Sequence, residues 1–413
     1  MELISLLEDK RIILGVTGGI AAYKVCTLAS HLTQAGALVD VVMTEAATRF
    51  ITPLTFEALT GRLAYTDMWH PPGPTRIAHV GLAEAADLLV IAPVTANTMA
   101  KLAQGLADNL LTTLALAARC PLLLAPAMDV GMWAHPATQS NVNTLRERGA
   151  HFAGPVRGRM ASGLEGEGRM MEPDEILGHV RLVLGREGPL DGRCVVVTAG
   201  PTREHLDPVR FLSNPSSGRQ GFALAQSALD RGASVTLVTG PTHLPAPAGA
   251  GRVDVTTAQE MHDAVITAVE RADVLLMAAA VADYRPIAAA QQKIKKGEAD
   301  LTLRLARTSD ILSAVAERRA ETGFPRVVAG FAAESENLVE NARAKLEAKR
   351  LDLIVANDVT GPDAGFGVET NRGVLIGRGG SVEELPLMSK AAVAEVVLER
   401  VVSLLAAAKG EQR

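Results

Sequence analysis

Short apolar runs of strand length, each followed by a helical stretch, recur along this chain and then begin again. That repetition limits its fold more than any other feature. RIILGV (Arg11–Val16), LVDVVMT (Leu38–Thr44), ADLLVIAPV (Ala86–Val94) and LLLAPAM (Leu122–Met128) read as buried strands. The first ends in a glycine turn before IAAYKVCTLASHLTQ, a helix stopped at Gly36. The series restarts at RCVVVTAG (Arg193–Gly200), followed by the helix GFALAQSALDRGA and by ASVTLVTG and ADVLLMAAAVAD, which echo LVDVVMT and ADLLVIAPVTAN. RVVAGFAAE (Arg326–Glu334) and LDLIVAND (Leu351–Asp358) complete the second series. Strand and helix in alternation predict α/β layering, and two copies predict two tandem Rossmann-like domains rather than a solenoid. The joint falls in the polar segment GREGPLDG (Gly185–Gly192), giving expected domains 1–187 and 188–413.

Length and composition agree: 413 residues exceed one ordinary domain. A net charge of −5 leaves no basic surface for wide contact with nucleic acid, and 3% aromatic residues leave little for base stacking. No uncharged run approaches the ~20 residues of a membrane span. MELISLLEDKR lacks the basic start and apolar run of a signal peptide. Cys26, Cys120 and Cys194 stand singly, with no disulfide or zinc spacing. The expectation is a cytoplasmic protein with no membrane or nucleic-acid partner.

Several segments carry candidate chemistry. GVTGGIAAYK is neither GxGxxG nor a Walker loop, but its small residues let backbone N–H groups meet a phosphate at a helix N-terminus; close strand–helix packing is the plainer account. APVTANTMAK places Thr95, Asn97 and Thr98 at the carboxyl end of a strand, where such sheets bind ligands, and either Thr95 or Asn97 also suits a helix cap. His79, just before the third long strand, is a proton-exchange candidate, although a lone histidine is more often structural. Gly158–Pro173 is glycine-rich and aperiodic, a linker or a flap, and Arg159 and Arg169 favour a flap over an anion. Pro201–Gly221 replaces a short turn by a loop dense in Arg, Asn, Ser and Gly, suited to a polyphosphate or a carboxylate. QQKIKKGEAD adds three lysines, a phosphate contact or a solvated turn.

Taken in order, these motifs resemble the bifunctional bacterial enzymes of coenzyme A synthesis that join phosphopantothenoylcysteine decarboxylase to phosphopantothenate–cysteine ligase. The resemblance runs from about Arg11 to Lys390. GVTGGIAAYK, His79, APVTAN, PAMD and GEGRM carry it in the first half; TAGPTREHLDPVRFLSN, AAAVADYRP, KIKK, GFAAE and LIVANDV carry it in the second. For the first half it implies a flavin-containing cysteine decarboxylase with noncovalent FMN. Gly18, Gly19 and Ile20 would cap the FMN phosphate, Thr44, Phe50, Thr95, Asn97 and Met128 would line the cofactor, and His79 would be the base. Oxidation of the cysteinyl thiol to a thioaldehyde would supply the electron sink for loss of CO2, and the ene-thiol would then be reduced under a closed flap. Two positions depart from the family. Its PAMN is PAMD here, so that Asp129, when ionised, only accepts hydrogen bonds, and its flap cysteine aligns with Ser162, a far weaker acid. Arg169 is expected at the substrate.

For the second half the resemblance implies that phosphopantothenate's carboxylate attacks CTP to form an acyl-cytidylate, which cysteine's amine then opens. Asn214 and Arg210 would serve the acyl-cytidylate and Lys293 its formation. Met277, Ala278, Ala279, Asp283, Ser309, Asp310, Ile311, Leu312, Phe331, Lys345 and Lys349 would hold CTP with Mg2+; no metal ligand is assigned. Without the resemblance, Lys345 and Lys349, four apart, would read as a solvated helix face. Trimeric flavin domains and dimeric ligase domains would together make a dodecamer. The rival readings are a regulatory flavoprotein whose decarboxylase half is impaired at Asp129 and Ser162, and a nicotinamide oxidoreductase, which the missing GxGxxG turns disfavour.

Overall fold

The apolar runs become strands because both of their faces are covered. The computed structural model describes residues 3–69, 78–296, 301–334, 336–358, 365 and 367–410. The chain forms two compact units, Met1–Gly185 and Arg186–Arg413.

In the first unit β1 (Arg11–Val16), β2 (Leu38–Met43), β3 (Ala64–Tyr65), β4 (Leu88–Val94), β5 (Leu122–Pro126) and β6 (His151–Phe152) form one sheet in the order β3-β2-β1-β4-β5-β6. Every neighbouring pair is parallel. The two-residue side-chain period splits each strand between two cores. Ile12, Leu14 and Val16 pack on one face with Val25, Leu28 and Leu32 of the helix Ala22–Gln34 and Ile176 and Val180 of the helix Pro173–Leu184. Ile13, Leu89 and Ile91 pack on the other with Met99, Leu111, Leu114 and Val142. The glycine-rich segment is an antiparallel hairpin, β7 (Val156–Arg159) and β8 (Glu165–Arg169), rather than an aperiodic loop. Residues without side chains leave no apolar alternation to read, so the strands were hidden in the sequence.

The second unit is built from β9 (Cys194–Ala199), β10 (Arg203–His205), β11 (Phe211–Ser213), β12 (Ser234–Thr239), β13 (Gly251–Asp254), β14 (Val274–Met277), β15 (Tyr284–Pro286), β16 (Leu305–Arg307), β17 (Val327–Glu334), β18 (Leu353–Asp358), β19 (Thr370–Gly377) and β20 (Val382–Ser389). Its main sheet runs β13-β12-β9-β14-β17-β18-β19-β20. The first six strands are parallel and the last two antiparallel. The pairs β10–β11 and β15–β16 are separate antiparallel hairpins. The run ADVLLMAAAVAD stays in the sheet only over Val274–Met277. Beyond it, Ala280 N–H donates to Gly200 O (2.9 Å) and Ala282 N–H to Thr202 Oγ1 (3.0 Å), so the backbone bonds turn from strand to loop.

Both sheets reverse their strand order beside the first strand of the series, between β1 and β4 and between β9 and β14. In open parallel sheets the crevice beyond the carboxyl ends at such a reversal is where ligands bind.

Candidate functional site

In the first unit the reversal is closed by one buried hydroxyl. Thr17 Oγ1 donates to Pro93 O (2.7 Å) and accepts from Thr95 N–H (3.2 Å), stitching the turn after β1 to the turn after β4. Gly18 sits where no side chain fits, since a Cβ there would lie 2.4 Å from the Ala46 Cβ. No side chain caps the following helix, Ala22–Gln34; in its first turn Ala22 N–H donates to Gly19 O (3.0 Å) and Lys24 N–H to Ala21 O (3.0 Å). Thr44 caps the short helix after β2 by accepting from Ala47 N–H (3.3 Å), and Thr95 caps Ala96–Gln104 by accepting from Thr98 N–H (3.3 Å). The capping account of Thr95 thus holds alongside a position at the crevice. Ile20 is 62% and Phe50 48% exposed, apolar surface left open beside Gly18, Gly19 and Thr44. Asn97 is exposed and Met128 half-buried.

Asp129 and Ser162, distant in sequence, meet. Ser162 Oγ, on the connection between β7 and β8, donates to Asp129 Oδ2 (2.6 Å), while Asp129 Oδ1 accepts from Gly131 N–H (3.2 Å). The serine bond chiefly, then the glycine amide, holds the Asp129 carboxyl below its ordinary value of 3.8. The hairpin is seated close to the turn after β5: Met128 N–H donates to Gly168 O (2.9 Å), and Gly168, at φ 142°, would carry a Cβ 2.4 Å from Met128 O. Arg169 is ion-paired with Glu172, which also takes Lys24 Nζ (2.7 Å). Its charge is thereby answered within the protein. His79 is the second residue of the helix Ala78–Ala85 and half-buried. No hydrogen bond joins it to the other candidates among the described residues.

In the second unit two clefts, of about 400 and 550 Å3, share Ala279, Val281, Asp283, Phe331 and Lys345. The larger collects Met277, Ala279, Asp283, Ser309, Asp310, Ile311, Leu312, Phe331, Lys345 and Lys349, ten of the eleven expected CTP residues apart from Lys293; Ala278 lines the smaller with Asn214. Asn214 Nδ2 donates to Ala280 O (3.3 Å) and Val281 O (3.2 Å), and Ala279 N–H donates to the buried Thr198 Oγ1 (3.1 Å). Lys345 Nζ donates to Phe331 O (3.0 Å). Burial pulls this ammonium below the ordinary lysine value of 10.5 against the pull of Glu334 and Asp283. Asp310 caps Ile311–Thr322 by accepting from Ser313 N–H (3.1 Å) and pairs with Lys349. Burial works to raise Asp310, but Lys349 and Ser313 outweigh it and leave the carboxyl below 3.8. Lys345 and Lys349 therefore belong to a cleft, not to a solvated helix face.

Arg210 and Lys293 line neither cleft. Lys293 is exposed, and Arg210 Nε and Nη2 are bonded to Asp207 and to the backbone of Ile294. Sequence reasoning missed Thr17, Thr198 and Asp207, and also Lys390, which lines the smaller cleft and donates to Val368 O (2.6 Å). Hydroxyls inside strand ends and one lysine far along the chain carry no local signal. Among the described residues no cluster of His, Cys, Asp and Glu is arranged to hold a metal ion, and no helix is long and apolar enough to cross a membrane.

The flavoprotein family matches residues 3–184, and the C-terminal domain family of DNA/pantothenate metabolism flavoproteins matches 190–405. The coenzyme A biosynthesis bifunctional protein CoaBC of Bacillus subtilis (strain 168) is 44% identical over 402 residues, covering 97% of this chain and 98% of its own. Its namesakes in Vibrio cholerae (45%; 95% of this chain, 98% of the relative) and Mycobacterium bovis (46%; 96% and 97%) are as near. Similar to such relatives almost from end to end, the chain belongs to the family of bifunctional coenzyme A biosynthesis proteins and joins a flavoprotein decarboxylase to a ligase in one polypeptide.

Proposed function

We propose that the second unit condenses 4'-phosphopantothenate with cysteine through an acyl-cytidylate drawn from CTP and Mg2+, and that the first unit decarboxylates the product to 4'-phosphopantetheine with FMN. The observation that carries the reading is the convergence of three separate segments, Met277–Asp283, Ser309–Leu312 and Phe331–Lys349, on one cleft that holds two lysines. A triphosphate needs such cations, and carboxylates such as Asp310 keep them in place until the ligand arrives. Asn214, oriented by two carbonyls in the adjoining cleft, would face the acyl group of the acyl-cytidylate. Lys293 would meet the phosphates as they react, and Arg210 would act through the segment it holds.

The first crevice suits FMN in its chemistry: the small turn residues Gly18 and Gly19 just before the uncapped helix for a dianionic phosphate, and the open apolar surface of Ile20 and Phe50 for a ring system. When bound, FMN supplies a two-electron acceptor and donor. In this reading Thr44, Thr95, Asn97 and Met128 would hold it, His79 would take the thiol proton, and the β7–β8 hairpin would keep water out while Asp129 and Ser162 fix its tip. The protein would work in the cytoplasm as a homo-oligomer, a dodecamer of trimeric and dimeric contacts.

Purified protein incubated with 4'-phosphopantothenate, cysteine, CTP and magnesium tests the whole scheme by mass spectrometry of the products. Phosphopantetheine with CMP is expected. Accumulation of phosphopantothenoylcysteine would instead mean a decarboxylase half impaired at Asp129 and Ser162, and no ligation at all would overturn the reading.

A further inference from the structure

Asp207 has no role in the scheme above, yet its side chain is fully buried and crowded with donors. Oδ1 accepts from the backbone N–H groups of Val209 and Arg210, both at 2.8 Å. Oδ2 accepts from Arg210 Nε (2.9 Å), from Arg210 Nη2 and from Ile294 N–H (3.1 Å). Arg210 Nη2 also donates to Ile294 O (2.6 Å). One ion pair thus grips both backbone groups of a single residue, the carboxylate taking its N–H and the guanidinium its carbonyl. A second tie, Ala290 N–H to Leu206 O (2.9 Å), anchors the same segment three residues upstream of Lys293.

The segment needs this grip. Gln291–Lys296 belongs to no helix or strand, so no ladder of its own holds it. Ile294 is half-buried, whereas its neighbours Lys293 and Lys295 are exposed. A lysine on a free backbone would have to be ordered, backbone and stem together, whenever it reached a ligand. On a clamped backbone only the stem remains to be ordered. Only a carboxylate suits the anchor, because an amide would turn an N–H group toward donors that need an acceptor. Lysine at 210 has no planar fork with which to bond Asp207 and Ile294 O together.

We propose that Asp207 is a positioning residue for Lys293: with Arg210 it clamps the backbone of Ile294 and so sets where the Lys293 ammonium can reach. The inference rests on the reading of Lys293 as the residue that helps form the acyl-cytidylate. Arg210 is then a strut whose influence on the ligase passes through the segment it holds.

The test uses the full-length protein with FMN bound and the variants Asp207→Asn, Asp207→Glu and Arg210→Lys. Hydrogen exchange is followed by mass spectrometry on peptides spanning Gln291–Lys296. Losing a charge-assisted bond should speed exchange there by about tenfold in Asp207→Asn and Arg210→Lys. In the same two variants kcat for pyrophosphate release should fall by roughly thirtyfold while the KM for CTP stays within about twofold, because the residues of the CTP cleft are untouched. Asp207→Glu, which keeps the acceptor, should recover part of kcat. Decarboxylation of phosphopantothenoylcysteine, the work of the first unit, should be unchanged, and the retained KM for CTP checks that the second unit is folded. Unchanged exchange in Asp207→Asn and Arg210→Lys would overturn the clamp, and faster exchange with an unchanged kcat would overturn the positioning role. Should Asp207→Asn fail to fold, Arg210→Lys carries both readouts. Normal pyrophosphate release in Lys293→Gln would remove the role of Lys293 while leaving the exchange result standing, so the two failures are distinguishable.

Discussion

The two units build the same crevice and furnish it differently. Each reverses its strand order beside its first strand, and each ties the two central turns together through buried threonine, Thr17 in one and Thr198 with Thr202 in the other. At the first crevice the turns are short, the contacts are hydroxyls and backbone amides, and open apolar surface stands beside them. At the second the turns have grown into hairpins, and cations are held in half-buried positions by carboxylates and carbonyls. The shared topology decides where a ligand goes. In the proposed reading the loops set what charge it can carry: uncharged donors would serve one phosphate, whereas a triphosphate would call for ammonium groups kept close by counter-ions.

Breaking one crevice should leave the other working. The largest effect is expected for Lys293→Gln, which should slow acyl-cytidylate formation at least about 10³-fold by pyrophosphate assay and leave decarboxylation of supplied phosphopantothenoylcysteine unchanged. His79→Asn should mirror it, lowering CO2 release by about 10²–10³-fold with flavin absorbance and ligation intact. Leu14→Ala removes a side chain with no exposed surface between β1 and the helix Ala22–Gln34. It should destabilise the first unit by about 3 kcal/mol, read as a lower denaturant midpoint for flavin release than for loss of ligase activity.

Lys345→Met sharpens the contrast in charge. Burial places the folded value of Lys345 below 10.5, so the unfolded chain holds that proton to higher pH. Stability of the second unit should therefore rise as pH climbs through the folded value toward 10.5, and the methionine variant should lose that rise. It should also gain up to ~1 kcal/mol at neutral pH while CTP binding fails, as denaturation and calorimetry would show. Ser162→Cys is the mildest change, within about threefold in decarboxylation, since a thiol at the hairpin tip can still donate to Asp129. A dead variant would mean that the tip is tuned to serine.

Much of this was legible in the residues. The long central strands stood out because each is apolar along its length, and β1, β2, β4 and β5 lie within the expected runs. The helix after β1 begins at Ala22, two residues later than the apolar run from Ile20, because the turn carries the chain past the strand end first. The edge strands β3 and β6 hold two residues each, too short for any period to show. Hairpins within the loops were hidden as well: β7–β8 is rich in glycine, and β10 and β11 hold three residues each, REH and FLS, too few for alternation to show.

The sequence by itself determined the two layered sheets, their order along the chain and the segments from which a ligand would be held. Those properties follow from local hydrophobic period and from turn residues, which act over a few positions. Only the tertiary structure decided that Ser162 would meet Asp129 across 33 positions, that Arg169 would be taken by Glu172, and that Asp207 would grip Ile294 across 87. A buried charge or hydroxyl takes whatever partner the packed elements bring within about 3 Å, and sequence neighbourhood says nothing about that distance.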